Sequence, residues 1–449
     1  MPRRRKSPGK EQILVRGVVI ATKVTAAKPA KQQTPRATKA KTTKPSAAIP
    51  ALPAARILRL TQLLAFVDYC AVGAMRTVLP YYLRSLGGAG KHVGGLETAY
   101  GVGQIVGAIA CGRLSDSRGR KLVLLLSFAG AAVGYAVAGA GVAYGSLLLL
   151  LASRLPVGLA KQTVTASRAV ASDLTPPDAS RSAALARLFA GCSLGYAVGP
   201  YFGGRLVDHV GHTSPVPALL CAVVFVLLIP VTAALLPETA TLSSSAAARV
   251  PKATAAPSPE STKRRRRELL LLVGCTLPEA SLIIFSSTTL ALLAHQLGWP
   301  ASRLGLYNSA WGLMSGGASL FLWPWLLRSG LVSDLAALLV GAASLGIASA
   351  ALAASPTAVV LWACLILGTV AVGLLRTLPA SLATKAAAPS RRGEVLGRLD
   401  AAGSACRVIA PAITGLLIDA AGLQAAFAAQ AALCFVGIAI LRVWAAAPG

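Results

Sequence analysis

From Ile57 onward the chain alternates long uncharged runs with short polar breaks. The stretch Gly94 to Cys111 carries one charge, Glu97, and Leu122 to Leu151 carries none. Runs of about 20 apolar residues match the ~30 Å of hydrocarbon that a spanning α-helix must cross. Backbone groups in lipid have to pair within their own segment, so these runs are helices. Twelve are expected, at about 57–82, 93–112, 122–142, 146–169, 184–206, 216–236, 269–294, 304–326, 332–353, 357–380, 397–418 and 424–444.

Composition agrees. Of 449 residues, 55% are hydrophobic and only 13% charged, with a mean hydropathy of +0.65. A soluble protein carries roughly twice that charged fraction. The net charge of +29 would suit a nucleic-acid binder, but its placement argues for none. Lys and Arg gather in the N-terminal segment, between helices 2 and 3, between helices 6 and 7 (Lys263 to Arg267) and between helices 10 and 11 (Lys385, Arg391, Arg392). All these segments share one face, and the opposite loops 140–146 and 354–359 hold no basic residue. Basic loops stay on the cytoplasmic side, which places both termini in the cytoplasm with the basic segments at anionic headgroups. Which membrane is spanned stays open. The eight cysteines sit in or beside helices without metal-ligand spacing and read as small buried hydrophobes, with neither disulfide nor zinc expected.

Residues 1–55 are rich in Lys, Ala, Thr and Pro and hold one acid, Glu11, so a disordered basic cytoplasmic tail is expected, with an organelle transit peptide as the alternative. Residues 237–268 read as a cytoplasmic linker between two halves, 56–236 and 269–449. The halves repeat. Asp68 and Gly87 correspond to Glu279 and Gly298 at an offset of 211 (279 − 68). At the same offset Pro200, Gly204, Asp208 and Gly211 meet Pro411, Gly415, Asp419 and Gly422. The fold class is therefore an all-α membrane protein of twelve helices in two pseudo-symmetric six-helix bundles.

Three local motifs carry chemistry. Between helices 2 and 3, Gly112, Leu114, Asp116, Gly119, Arg120 and Lys121 form G-x-L-x-D-x-x-G-R-K in a short basic turn that also holds Arg118. Helix 5 holds Gly195, Gly199, Pro200, Gly203 and Gly204, a spacing that lets helices approach closely. Helix 4 holds Leu151, Arg154 and Gly158 as L-x-x-R-x-x-x-G. The first motif resembles the signature loop of the major facilitator superfamily of transporters. The other two resemble elements of its tetracycline-resistance and drug:proton antiporter branch. The resemblance covers about residues 57–444. It implies the major facilitator fold and a cytoplasmic gate in which Asp116 braces the start of helix 11 near Gly397 and Arg398. The second-half counterpart, Trp323 to Val332, keeps only Gly330, which implies an asymmetric gate.

Charged side chains inside a membrane helix are costly and mark pathways or proton relays. Asp68, Arg154, Glu279 and Arg407 lie near helix middles. Arg154 is 8 residues from a start at Ser146, or ~12 Å, and Asp68 is 11 residues from a start at Ile57, or ~17 Å. These depths nearly coincide, so Asp68–Arg154 is the expected coupling pair. Lys161 and Arg376, a repeat-related pair, sit nearer the cytoplasmic ends, where snorkelling to headgroups is an equal alternative. Tyr69, Tyr100, Gln104, Gln162, Asn308 and Trp311 add polar or stacking candidates to the cavity.

No nucleotide loop, G-x-S-x-G elbow or metal-spaced histidine set is present, so neither an enzyme nor a cofactor is expected. The expectation is a monomeric secondary active transporter of a small organic solute that works by alternating access with protons as coupling ion, as an antiporter. A uniporter or proton symporter of a small metabolite is the nearest alternative. A non-transporting scaffold or receptor on a transporter fold is the alternative from another class.

Overall fold

The computed structural model describes residues 53–175, 179–239, 259–387 and 391–446. Residues 1–52 of the expected tail and 240–258 of the expected linker lie outside them. Twelve membrane-length helical stretches follow in chain order among the described residues. They are α1 (Ala54–Ser85), α2 (Gly90–Arg118), α3 (Arg120–Ala143), α4 (Leu147–Leu174), α5 (Ala179–Val210) and α6 (Val216–Leu235). The second six are α7 (259–296), α8 (301–328), α9 (Asp334–Ala354), α10 (Ala358–Ala386), α11 (392–421) and α12 (423–446).

Most helices outrun their apolar cores. The expected basic turn at 112–121 is mostly helix: α2 continues to Arg118 and α3 begins at Arg120, with Gly119 alone between them at φ 103°. Glycine meets little steric cost at that angle, so one residue turns the chain. The basic run Lys263 to Arg267 is likewise the opening of α7 rather than loop. Charged turns stay helical because they lie beyond the hydrocarbon, where water satisfies the side chains. At Gly422, with φ 83°, the run Arg392–Ala446 breaks into α11 and α12.

Helix α4 is built from three pieces, Leu147–Ala152, Arg154–Ala160 and Thr163–Leu174. Pro156 has no N–H for the Ala152 carbonyl, and the chain turns one residue later, at Ser153. At the second break the Gln162 amide donates to Ser127 Oγ on α3 (3.2 Å), and Ser127 shares a hydroxyl bond with Thr163 (2.8 Å). In the second bundle α7 and α8 each contain a five-residue π-helical turn, Phe285–Thr289 and Ala318–Leu322. Such turns are frequent at functional positions.

Seven stretches, the last joining α11 and α12, are long and apolar enough to cross a membrane by length and composition alone. Helices α2, α5, α7 and α8 are not among them, and π-turns interrupt α7 and α8. Three of these four form the seam between bundles: α2 lies against α11 and α5 against α8. Small residues at the seam replace the large aliphatic ones that lipid would favour. A Cβ on Gly305 would collide with the Pro200 carbonyl, and a Cβ on Gly94 with the Pro411 carbonyl. These two contacts are the same contact, moved by 211 residues. In the helix-5 motif, Gly195, Gly199 and Gly203 press against α1 at Phe66, Cys70 and Ala74, while Gly204 presses against Ala301 of α8. The motif is thus a two-sided packing surface.

Candidate functional site

The seam is fastened at the end opposite the basic segments. Asp208, at the end of α5, accepts hydrogen bonds from the Ala301 and Ser302 amides that open α8 (2.9 and 2.8 Å). Asp419, at the end of α11, accepts from the Gly90 and Lys91 amides that open α2 (2.8 and 2.9 Å). A carboxylate at a helix N-terminus satisfies orphan amides and meets the positive end of the helix dipole. Below these latches Tyr81 donates to the Trp299 carbonyl (3.0 Å), Thr98 to the Val408 carbonyl (2.8 Å), Asn308 to Thr77 Oγ1 (3.3 Å) and Arg76 to Ser286 Oγ (3.3 Å). Among the described residues, every hydrogen bond between bundles lies in this far half. Near the basic end a Cβ on Gly112 or Gly397 would meet nothing within 4 Å. The bundles are closed at the far end and parted toward the basic end.

At the basic end each bundle is tied within itself. Glu238 accepts from the Arg120 and Lys121 amides (2.8 and 3.2 Å), and Arg120 reaches Asp173 (3.2 Å) and the Ser115 carbonyl (2.7 Å). Arg398 pairs with Glu268 and Glu394 of its own bundle (3.4 and 2.6 Å). The Asp116 side chain lies outside the described residues, so its expected brace on α11 does too. Gly112 and Arg118 are at the end of α2, and Arg118 is exposed.

Inside the first bundle the ion pair differs from the expected one. Asp68 is fully buried and pairs with Lys161, whose side chain is 8% exposed. Lys161 also lies 5.7 Å from the Tyr69 ring centre and 5.4 Å from that of Phe225. It does not snorkel. Asp68 Oδ2 has no hydrogen-bond partner. Arg154 instead stands over the Tyr100 ring at 5.0 Å, and Gln104 donates to the Tyr100 hydroxyl (3.3 Å). Two physical reasons separate Asp68 from Arg154. Helix α1 has 32 residues, about 48 Å at 1.5 Å each, so counting from its end overstates depth in a ~30 Å core. Lys161 is two turns beyond Arg154 on the same face, and the break at 161–162 leaves it as the terminal residue of its segment, beside α1.

In the second bundle Glu279 and Arg407 stand 3.7 Å apart, with 22% and 48% side-chain exposure. Arg376, on α10, is exposed and within electrostatic range of Arg76, Arg407, Tyr69 and Tyr196. Trp311 packs edge-on to Phe285 (5.7 Å), and its buried Nε1 has no partner. Gln162 donates to the Gln104 carbonyl at 3.5 Å.

Two charged residues were missed, Arg76 and Glu97. The rule that selected Asp68 also applies to both, since each lies in an apolar run. A cavity of about 70 Å³ inside the first bundle is lined by Arg76, Glu97, Tyr100, Arg154 and Lys161. No group of His, Cys, Asp and Glu that could hold a metal ion occurs among the described residues.

The sequence profile described as "Major Facilitator Superfamily" matches residues 62–404 and 281–449. Solute carrier family 22 member 18 of Rattus norvegicus is 37% identical over 189 residues, 40% of this chain and 45% of the relative. Tetracycline resistance protein, class G, of Vibrio anguillarum is 34% identical over 157 residues, 34% of this chain and 39% of the relative. The chain thus matches under half the length of these curated relatives. The crystal structure of a mutant of the nucleoside transporter NupG superposes with a TM-score of 0.71 at 15% identity, over 86% of this chain and 99% of that one.

Proposed function

Since the chain belongs to the major facilitator superfamily, we propose that it is a secondary transporter and works as a proton-coupled antiporter of a small organic solute. The observation that carries this reading is the Asp68–Lys161 pair, buried inside a membrane bundle with one carboxylate oxygen unpartnered. A proton on Asp68 neutralises the carboxylate and frees Lys161. The local charge then changes by one unit where the dielectric is low and the effect is largest. Glu279–Arg407 offers a second such pair across the cleft, and Lys161, Arg376, Tyr100, Gln104, Asn308 and Trp311 furnish the cavity wall. Short matches to tetracycline resistance proteins also favour proton antiport. The basic loops put both termini on the cytoplasmic side, so the parted end faces the cytoplasm.

Symport of an anionic metabolite is the second reading, and Arg376 favours it. The charge of the other bundle that acts on it most strongly is another cation, Arg76. A carboxylate, sulfonate or phosphate on the solute would relieve that repulsion and bring the two bundles together.

Reconstituted protein in liposomes with a fixed pH gradient, a panel of anionic and cationic solutes and a lumenal pH dye tests both. Antiport predicts proton movement opposite to the solute, lost in Asp68→Asn. Proton movement with an anionic solute selects symport. Solute flux unchanged in Asp68→Asn and independent of pH would reject proton coupling through this pair.

A further inference from the structure

Glu97 is a membrane-depth carboxylate with no role in the pairing described so far. It lies 97 − 90 = 7 residues from the far end of α2, and Arg154 lies 154 − 147 = 7 residues from the far end of α4, about 10 Å each at 1.5 Å per residue. Lys161, paired with Asp68, is seven residues further along α4, about 10 Å deeper. The charges of the first bundle therefore stand on two levels.

One cavity of about 70 Å³ touches both levels. Its charged and titratable lining is Arg76 from α1, Glu97 and Tyr100 from α2, Tyr135 from α3, and Arg154 and Lys161 from α4. Every lining residue belongs to the first bundle. Apolar side chains complete the lining around these groups, and the cavity has room for several waters. Glu97 is within electrostatic range of Arg76 and Tyr100, yet makes no ion pair among the described residues. A carboxylate at such depth without a direct partner is stable when it is hydrated or protonated.

We propose that Glu97 is a second proton-carrying carboxylate, and that this cavity is a proton passage joining it to the Asp68–Lys161 pair. The inference rests on the proton-coupled reading above. A proton released from Glu97 crosses water in the cavity to Lys161, which hands one of its own protons on to Asp68. Asp68 becomes a neutral acid and releases Lys161, which stays an ammonium. Glu97 is left as a carboxylate opposite Arg154 and Arg76. In net, one proton changes place and no other bond is made or broken.

The test uses the full chain in liposomes and needs no solute. Infrared difference spectra after an acid jump follow the carboxyl band in the unmutated protein and in Glu97→Gln, Glu97→Asp and Asp68→Asn. The unmutated protein should show two protonation steps. Glu97→Gln should lose one and slow the other about tenfold or more, and Glu97→Asp should restore both. Unchanged steps and rates in Glu97→Gln overturn the inference. Should Glu97→Gln not fold, the unmutated protein carries the test through dicyclohexylcarbodiimide, which adds to protonated carboxyl groups. Peptide mass spectrometry should find Glu97 labelled increasingly as pH falls, and no label on Glu97 where Asp68 reacts overturns the inference. The coupling reading fails separately: if Asp68→Asn removes no protonation step, the pair is not the proton site whatever Glu97 does.

Discussion

The Asp68–Lys161 pair makes a strong stability statement at the residue scale. Both groups are desolvated, and removing one partner strands the other charge. Lys161→Met should therefore destabilise the protein by about 3–5 kcal/mol, whereas the double change Asp68→Asn with Lys161→Met should recover most of that loss. Thermal unfolding of the four proteins in detergent measures both. A double variant no more stable than Lys161→Met alone would mean that the two residues do not act as a pair. The sequence named Asp68, Arg154 and Lys161 but joined the wrong two. Residue type and approximate depth are legible in a linear chain, because an apolar run around a charge is visible there. The partner is not, because it depends on the extra length of α1 and on the break at 161–162, which Ser127 of α3 stabilises from outside the helix.

Helices enter the argument at the element scale through their ends. The twelve expected runs all correspond to observed helices, since about 20 apolar residues leave few alternatives in lipid. The expected ends fall short wherever a charged turn continues the helix into water, as at Arg118 and in the basic start of α7. The functional content of those ends lies in the two latches. Each carboxylate cap is worth about 1 kcal/mol, with a range of roughly 0.5–2. Asp208→Ala and Asp419→Ala should each shift the balance away from the far-closed state by about fivefold, and together by about thirtyfold if they add. A cysteine near Tyr81 should report this as faster labelling by a membrane-impermeant thiol reagent from the far side. Labelling rates unchanged in the double variant would show that packing alone holds the seam. Gly305→Leu tests that packing. The side chain meets the Pro200 carbonyl, so the far end should open or the protein should fail to assemble.

The molecule as a whole is one six-helix plan used twice, and the repeat reaches the atoms that join the halves. Gly87, Gly119 and Gly211, each with positive φ, recur 211 residues later as Gly298, Gly330 and Gly422. Asp208 on the amides of residues 301 and 302 recurs as Asp419 on those of residues 90 and 91, with bundles exchanged. The matching residues were visible in the sequence, but their meaning was not. A repeat says that two positions are equivalent; only the packing says that each one touches the other half. Two bundles held by a reciprocal interface need no covalent join to find each other. A chain cut within residues 240–258 and expressed as two pieces should therefore assemble through α2 on α11 and α5 on α8, and should carry out transport like the intact chain at equal abundance. The linker's contribution is then only local concentration, worth more when expression is low. Copurification of the halves, with solute flux measured per assembled pair, checks this. Halves that copurify but fail to transport would assign the linker a part in the conformational cycle, and halves that do not copurify would show that the seam is too weak to hold the bundles unaided.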